Sequence, residues 1–197
     1  EINIPPFEFL SDSSKIKDGS YFFLNNHVIF DEDELNKLLA WVEKGNTAFI
    51  ASDVFGEQFL DTLHLETKPY SKKIQDKVTF IPKTELDLVN QNFQQEGPFE
   101  VPHEFSSIYF NKIDTLKTTI LGTVKYDDDT LSEPQINFIE TPFGKGKIFM
   151  HSTPEAFGNY FMLKHNNFKY VENILQNFLG NCFHVYRFST KSLRISN

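Results

Sequence analysis

Ser52 and His151 are the side chains whose types and positions could do chemistry: a hydroxyl at the end of one apolar run and an imidazole at the end of another. The run Thr47-Ala-Phe-Ile50 passes directly into Ala51-Ser52-Asp53-Val54-Phe55-Gly56 and then into a short helical pattern over 57–63. Nucleophile-elbow enzymes place the attacking Ser or Cys at such a strand-to-helix turn, between small residues that let the backbone bend tightly. With Ser52 as nucleophile, His151 as general base and Asp53 as its orienter, the chemistry would be Ser-dependent hydrolysis. The elbow pattern is incomplete, because Ile50 and Val54 stand two before and two after Ser52, where Gly belongs. Ser52 or Asp53 as the N-cap of the following helix accounts for the same residues without catalysis.

Two further polar groups follow apolar runs. Asn25-Asn26-His27 comes after Tyr21-Phe-Phe-Leu24, and His151-Ser152-Thr153-Pro154 comes after Ile148-Phe-Met150, with Asn159 shortly beyond. Open α/β sheets hold ligands at the carboxyl ends of their parallel strands. Asn25, Asn26, Ser52, Asp53, His151 and Asn159 are therefore the candidate ligand-binding residues. A hydrogen-bonded turn explains Asn25 and Asn26 equally well, since Asn tolerates left-handed backbone. A metal site built from His27, His103 or His151 would need the short ligand spacing typical of zinc, which no pair has; no metal or other cofactor is expected. Asp127-Asp128-Asp129 lacks the spacing of a calcium loop and reads as a hairpin tip. Phe143-Gly144-Lys145-Gly146-Lys147 lacks the spacing of a phosphate loop and reads as a hairpin turn.

The elements that must position these groups begin with a strand at 21–24. A helix follows, in which Leu35, Leu38, Leu39 and Val42 fall at i, i+3, i+4 and i+7. Asp31 or Asp33 is its cap and Gly45 its left-handed terminator. A strand over 47–50 completes a strand–helix–strand crossover. Residues 1–19 read as an extended lead-in, 65–68 and 78–81 as strands, and 82–104 as a long loop that ends at His103 and Glu104. Strands are expected over 107–110, 118–124, 135–140 and 147–151. The last helix starts at a cap on Asn166 or Asn167, presents Phe168, Val171, Leu175 and Phe178 on one face, and ends at Gly180. A strand or tail over 185–188 closes a single domain.

Composition narrows the function classes. A net charge of −8, with only Arg187 and Arg194 as arginines among 19 basic residues, argues against a nucleic-acid partner. The 22 Phe residues are read mainly as core. Cys182 is the only cysteine, so no internal disulfide forms, and its place after the last helix marks it as passive. No run of 18 apolar residues is present to span a bilayer. The chain starts with Glu1 rather than Met, as a piece of a longer, membrane-anchored protein would.

The order of 21–24, the helix to Val42-Glu43-Lys44-Gly45-Asn46, and then 47–50 with its polar turn belongs to a longer pattern. Later come Gly144-Lys145-Gly146-Lys147-Ile148, His151, Pro154, Phe157, Asn159-Tyr160 and Asn166-Asn167. This resembles the bacterial family of uncharacterised domains called domain of unknown function four-three-five-zero, over most of residues 20–180. The resemblance implies a class I glutamine amidotransferase-like fold: an α/β, flavodoxin-like, mainly parallel sheet with helices on both faces and a β-rich insertion. It also implies a former active-site edge at 51–55. Amidotransferases keep a Cys on that elbow, where this chain has Ser52 and Asp53, which argues against glutamine hydrolysis. Members of the family are often flanked by membrane segments, so the resemblance implies a domain outside the cytoplasmic membrane (periplasmic). It would be held to the membrane only through segments outside this chain. The function expected is a non-catalytic module for an unknown protein partner or small molecule; the alternative is the Ser52/His151 hydrolase.

Overall fold

The computed structural model describes residues 19–70, 73–74, 77–78, 84–93, 97–101, 107–127 and 131–178. Most of the expected lead-in, His103, Glu104, Asp128, Asp129, Cys182 and the 185–188 segment lie outside the described residues. The described strands are β1 (Ser20–Leu24), β2 (His27–Val28), β3 (Thr47–Ala51), β4 (Val54–Phe55), β5 (Glu66–Tyr70), β6 (Lys73–Ile74) and β7 (Lys77–Val78). They continue with β8 (Thr84–Leu88), β9 (Phe99–Val101), β10 (Ser107–Lys112), β11 (Thr119–Tyr126), β12 (Gln135–Phe143) and β13 (Gly146–His151). The described helices are α1 (Glu32–Glu43), α2 (Glu57–Thr62), α3 (Asn159–Met162) and α4 (Phe168–Phe178).

The start of the chain folds as its pattern dictates. Asp31, rather than Asp33, caps α1 in a reciprocal box: its carboxylate accepts from the Glu34 N–H at 2.8 Å, and Glu34 accepts from the Asp31 N–H at 3.2 Å. Leu35, Leu38, Leu39 and Val42 are buried, and Gly45 leaves the helix at φ +118°, a value that L side chains rarely adopt. The helix returns the chain to β3, which lies parallel to β1 in register Ser20↔Thr47 to Leu24↔Ala51.

The rest of the sheet corrects the expectation of a class I glutamine amidotransferase-like, flavodoxin-like, mainly parallel α/β fold. The strand order is β1-β3-β13-β12-β11-β8-β9, with β10 on β12 and β5 on β10. Among the described pairings of this sheet, β1·β3 and β3·β13 are parallel, and β13·β12, β12·β11, β11·β8, β8·β9, β12·β10 and β10·β5 are antiparallel. The sheet is mixed, and its antiparallel strands continue the sheet rather than forming an insertion beside a parallel one. Among the described residues one helical crossover, α1, links neighbouring parallel strands. Between β12 and β13 the chain reverses through the two-residue turn Gly144-Lys145, which imposes antiparallel pairing.

The Gly-Lys-Gly turn between β12 and β13 is a hairpin, as expected, and it sits against the end of α1. The Lys145 N–H donates to the Glu43 carbonyl at 3.0 Å. A Cβ on Gly146 would overlap the backbone oxygens of Asn46 and Val42, and one on Gly144 would overlap Glu43. Close backbone approach therefore explains both glycines.

Alternation along the strands divides the core into two clusters. Tyr21, Phe23, Ala48, Ile50, Ile148 and Met150 face one cluster together with α1 and α2. Phe22, Phe49, Ala51 and Phe149 face the other, together with Phe161 of α3 and Tyr170, Val171 and Ile174 of α4. The buried stripe of α4 is rotated from the expected one: Phe168 is exposed, while Tyr170 and Ile174 are buried. Residues 82–104 are not a plain loop. They contain β8 and β9, paired antiparallel, because Thr84, Leu86 and Leu88 alternate inward with Glu85 and Asp87.

Candidate functional site

Three parallel strands end level with one another, since Leu24 pairs with Ala51 and Ala51 with His151. Asn25 and Asn26 follow β1, Ser52 and Asp53 follow β3, and Ser152 and Thr153 follow β13. Backbone bonds stitch this edge together. Asn25 N–H donates to the Ala51 carbonyl, Asp53 and Val54 N–H to the Asn26 carbonyl, and Ser52 N–H to the His151 carbonyl, at 3.0–3.2 Å. Beyond the edge β2 and β4 pair in parallel as a small second sheet. Five of the six expected site residues are thus adjacent. Asn159 stands apart at the start of α3, exposed, after the 3-10 turn Pro154–Phe157.

Ser52 is fully buried, and its hydroxyl is occupied by backbone. Its Oγ accepts from the Val28 N–H at 3.1 Å and the Val54 N–H at 3.2 Å, and it lies 3.0 Å from the Asn26 carbonyl and 2.7 Å from that of Val54. These bonds fasten β2 to β4. The cap on α2 is Gly56, with no side-chain bond, so neither Ser52 nor Asp53 caps that helix.

His151 lies on the other side of the sheet. Its Cα partner is Ala51, and the next residue, Ser52, projects oppositely by the two-residue alternation of a strand. The His151 ring packs among Phe138, Phe157 and Tyr170, in the cluster that includes Phe49 and Ala51. Thr153 N–H donates to Nδ1 at 3.0 Å, which leaves the proton on Nε2, 2.7 Å from the Tyr170 hydroxyl. The structure therefore does not bring the Ser52 hydroxyl and the His151 ring together.

Burial governs the titration of this cluster. It drives the His151 pKa down to about 3, partly opposed by the Thr153 hydrogen bond, so the ring is neutral. It drives the Tyr170 phenol well above its usual range, a shift that the Asn137 amide opposes and the Asp87 charge reinforces. Asp87 is itself raised by burial. Asn137 is fully buried beside these groups; its amide lies near the Tyr170 phenol, but neither of its polar atoms makes a hydrogen bond of good geometry among the described residues.

Carboxylates gather on the same edge. Burial pushes Glu155, in the 3-10 turn, up to about 7; its own backbone N–H opposes the shift and the Asp53 charge adds to it. Asp53 is 7% exposed and Thr153 is 4% exposed. The Glu155 Oε2 and Thr153 Oγ1 atoms are buried and reach no hydrogen-bond partner among the described residues. Glu155, Tyr170 and Asn137 escaped sequence reading. Tyr170 looks like one more core aromatic, and Asn137 lies where β12 departs from simple register opposite Gly122. The one usable signal was Glu155, four residues after His151. Among the described residues no group of three or more His, Cys, Asp or Glu is placed to hold a metal ion; His27 is exposed on β2.

The sequence profile of the family described as Domain of unknown function (DUF4350) matches residues 2–175. The chain belongs to this family. No curated protein matches this DUF4350 domain in sequence. Among solved structures it is similar to the mmIFT52 N-terminal domain, at 11% identity and TM-score 0.56, over 93% of this chain and 84% of that one. That likeness concerns fold alone. A β-galactosidase from Rahnella sp. R3 is similar at 12% identity and TM-score 0.49, over 81% of this chain. One from Bacillus circulans sp. alkalophilus is similar at 12% identity and TM-score 0.48, over 84%. The domain spans only 22% and 23% of those two chains.

Proposed function

We propose that this DUF4350 domain is a non-catalytic binding or scaffold module that receives a ligand or protein partner at the carboxyl edge of β1, β3 and β13. The observation that carries this reading is the division of Ser52 and His151 between opposite sides of the sheet. The hydroxyl is used by backbone and the imidazole by Thr153 and Tyr170. Nucleophilic catalysis requires nucleophile and base within hydrogen-bond reach. The alternative, a hydrolase using Ser52 and His151 with Asp53, has no such contact in its favour. Asn26 and Asn159 are exposed at or near the edge and are the residues offered to a partner.

Membership of a membrane-associated assembly, with the domain on the outer (periplasmic) side, is part of the proposal and rests on the family resemblance. The membrane segments would lie outside this chain. No described helix is long and apolar enough to cross a bilayer.

The test is site-specific photo-crosslinking in cells that express the full-length protein. A photoreactive residue is placed at Asn26, at Asn159, or at Leu116, which is highly exposed in the turn leading into β11. Adducts from Asn26 and Asn159 but not from Leu116 support the edge as the binding face. Adducts from Leu116 alone, or from none of the three, count against it.

A further inference from the structure

The face of the sheet that carries His151 and Tyr170 also holds a cleft toward the other end of β13, away from the carboxyl edge. It measures about 110 Å³ and lies between the C-terminal turn of α4, strands β11 to β13 and the turn at Asn92-Phe93. Its walls are aromatic. Centroid to centroid, Phe93 lies 6.2 Å from Phe138, Phe138 lies 6.2 Å from Phe149, and Phe149 meets Phe178 edge to face at 5.0 Å. Leu121 and Ile174 complete the apolar lining.

Two opposite charges stand at its mouth, and strand alternation puts them there. Glu140 comes two residues after Phe138 and Lys147 two before Phe149, so both project on the side of these rings. The Lys147 Nζ lies 3.4 and 3.5 Å from the Glu140 carboxylate oxygens and 5.3 Å from the Phe149 ring centre. The Lys147 and Glu140 side chains are 47% and 28% exposed, and exposed pairs contribute little to stability. A ligand that brings its own two charges therefore separates them at small cost. Asn92 and Asn177, both exposed, add amides at the rim. Apolar walls with a few polar groups at the opening are the usual form of a small-molecule site.

We infer that this cleft binds a small zwitterion with one aromatic ring, the chemistry of a free aromatic α-amino acid. Volume sets the ring count: an apolar cavity of about 150 Å³ holds one benzene, so there is room here for one ring and not two. The ligand ring meets the Phe walls in the offset and edge-to-face geometries that aromatic pairs prefer. Its ammonium pairs with Glu140 and its carboxylate with Lys147. The site goes beyond the proposed docking role, because it uses the opposite end of β13 and exists whether or not a partner docks at the carboxyl edge.

The test is an NMR titration of the 15N-labelled full chain with L-phenylalanine to millimolar concentrations, beside three probes that each lack one part: phenethylamine, 3-phenylpropionate and L-alanine. Saturable shifts at the amides of Glu140, Lys147, Phe149 and Asn177 are expected with L-phenylalanine, and none with L-alanine. Each single-charge probe should bind at least about threefold more weakly, as expected for loss of one exposed ion pair. Glu140→Gln should abolish the advantage of L-phenylalanine over 3-phenylpropionate, and Lys147→Met its advantage over phenethylamine. An unchanged Tm shows that the variants fold; where Tm falls, the probe comparison in the wild type decides. No saturable shift with L-phenylalanine, shifts confined to residues outside the cleft, or equal affinity for the single-charge probes overturns the proposal. Crosslinking reads the carboxyl edge, so either result can fail alone.

Discussion

Replacing Ser52 by Ala separates a structural hydroxyl from a catalytic one. In this fold the substitution deletes an acceptor for two backbone N–H groups. Val54 N–H also donates to the Asn26 carbonyl at 3.0 Å and keeps that bond. Val28 N–H, on a residue only 6% exposed, loses the Ser52 oxygen at 3.1 Å and is left with its ladder bond in the parallel β2–β4 pairing. Losing one buried hydrogen bond costs about 0.5–1.5 kcal/mol. For a chain of this size, that corresponds to a fall in Tm of roughly 1–6 °C. The assay is thermal or urea unfolding of wild type and Ser52→Ala, with hydrogen exchange at the Val28 amide. A lower Tm with much faster Val28 exchange is expected, since β2 and β4 lose their clasp. An unchanged Tm with Val28 still protected would refute the assignment.

Three further outcomes follow from the same structure. Tyr170→Phe strands the His151 Nε2–H in the core and should cost about 1–3 kcal/mol, read as a lower urea midpoint; an unchanged midpoint contradicts the His151–Tyr170 bond. Glu155 has a folded pKa raised from 4.5 to about 7, so its contribution to stability is full below about 4.5 and is lost as pH rises through 7. Wild type should therefore lose stability relative to Glu155→Gln between pH 5 and 8, by at most about 3 kcal/mol, and a flat difference contradicts this. Gly146→Ala places a methyl group on the Val42 and Asn46 backbone oxygens and should cost on the order of 1–3 kcal/mol; wild-type stability would show that the hairpin does not press on α1.

Sequence periodicity revealed the elements better than their pairing. α1, an acidic cap on Asp31 or Asp33, and the Gly45 terminator follow from local rules, because caps and apolar spacing act within a few residues. The direction of the later strands depends on where each turn sends the chain. The mainly parallel fold implied by the resemblance agrees with the first crossover and is not followed by β8 to β12. The same limit applies at the site. The strand-end clusters at Asn25-Asn26, Ser52-Asp53 and His151 were legible, and the structure brings them together. That Ser52 and His151 face opposite ways depends on a one-residue offset between paired strands, and a one-residue offset reverses every side chain. Tyr170 and Asn137 were hidden for another reason: a polar tip on a core aromatic and a buried amide look like ordinary core and strand residues until their neighbours are known.

Whether this edge has lost catalytic chemistry is tested most directly by exposing the folded protein to a fluorophosphonate probe for serine hydrolases and measuring its intact mass. With the Ser52 hydroxyl bonded to backbone and no base beside it, no adduct is expected. A stoichiometric adduct mapped to Ser52, and abolished by unfolding the protein before exposure, would contradict the account.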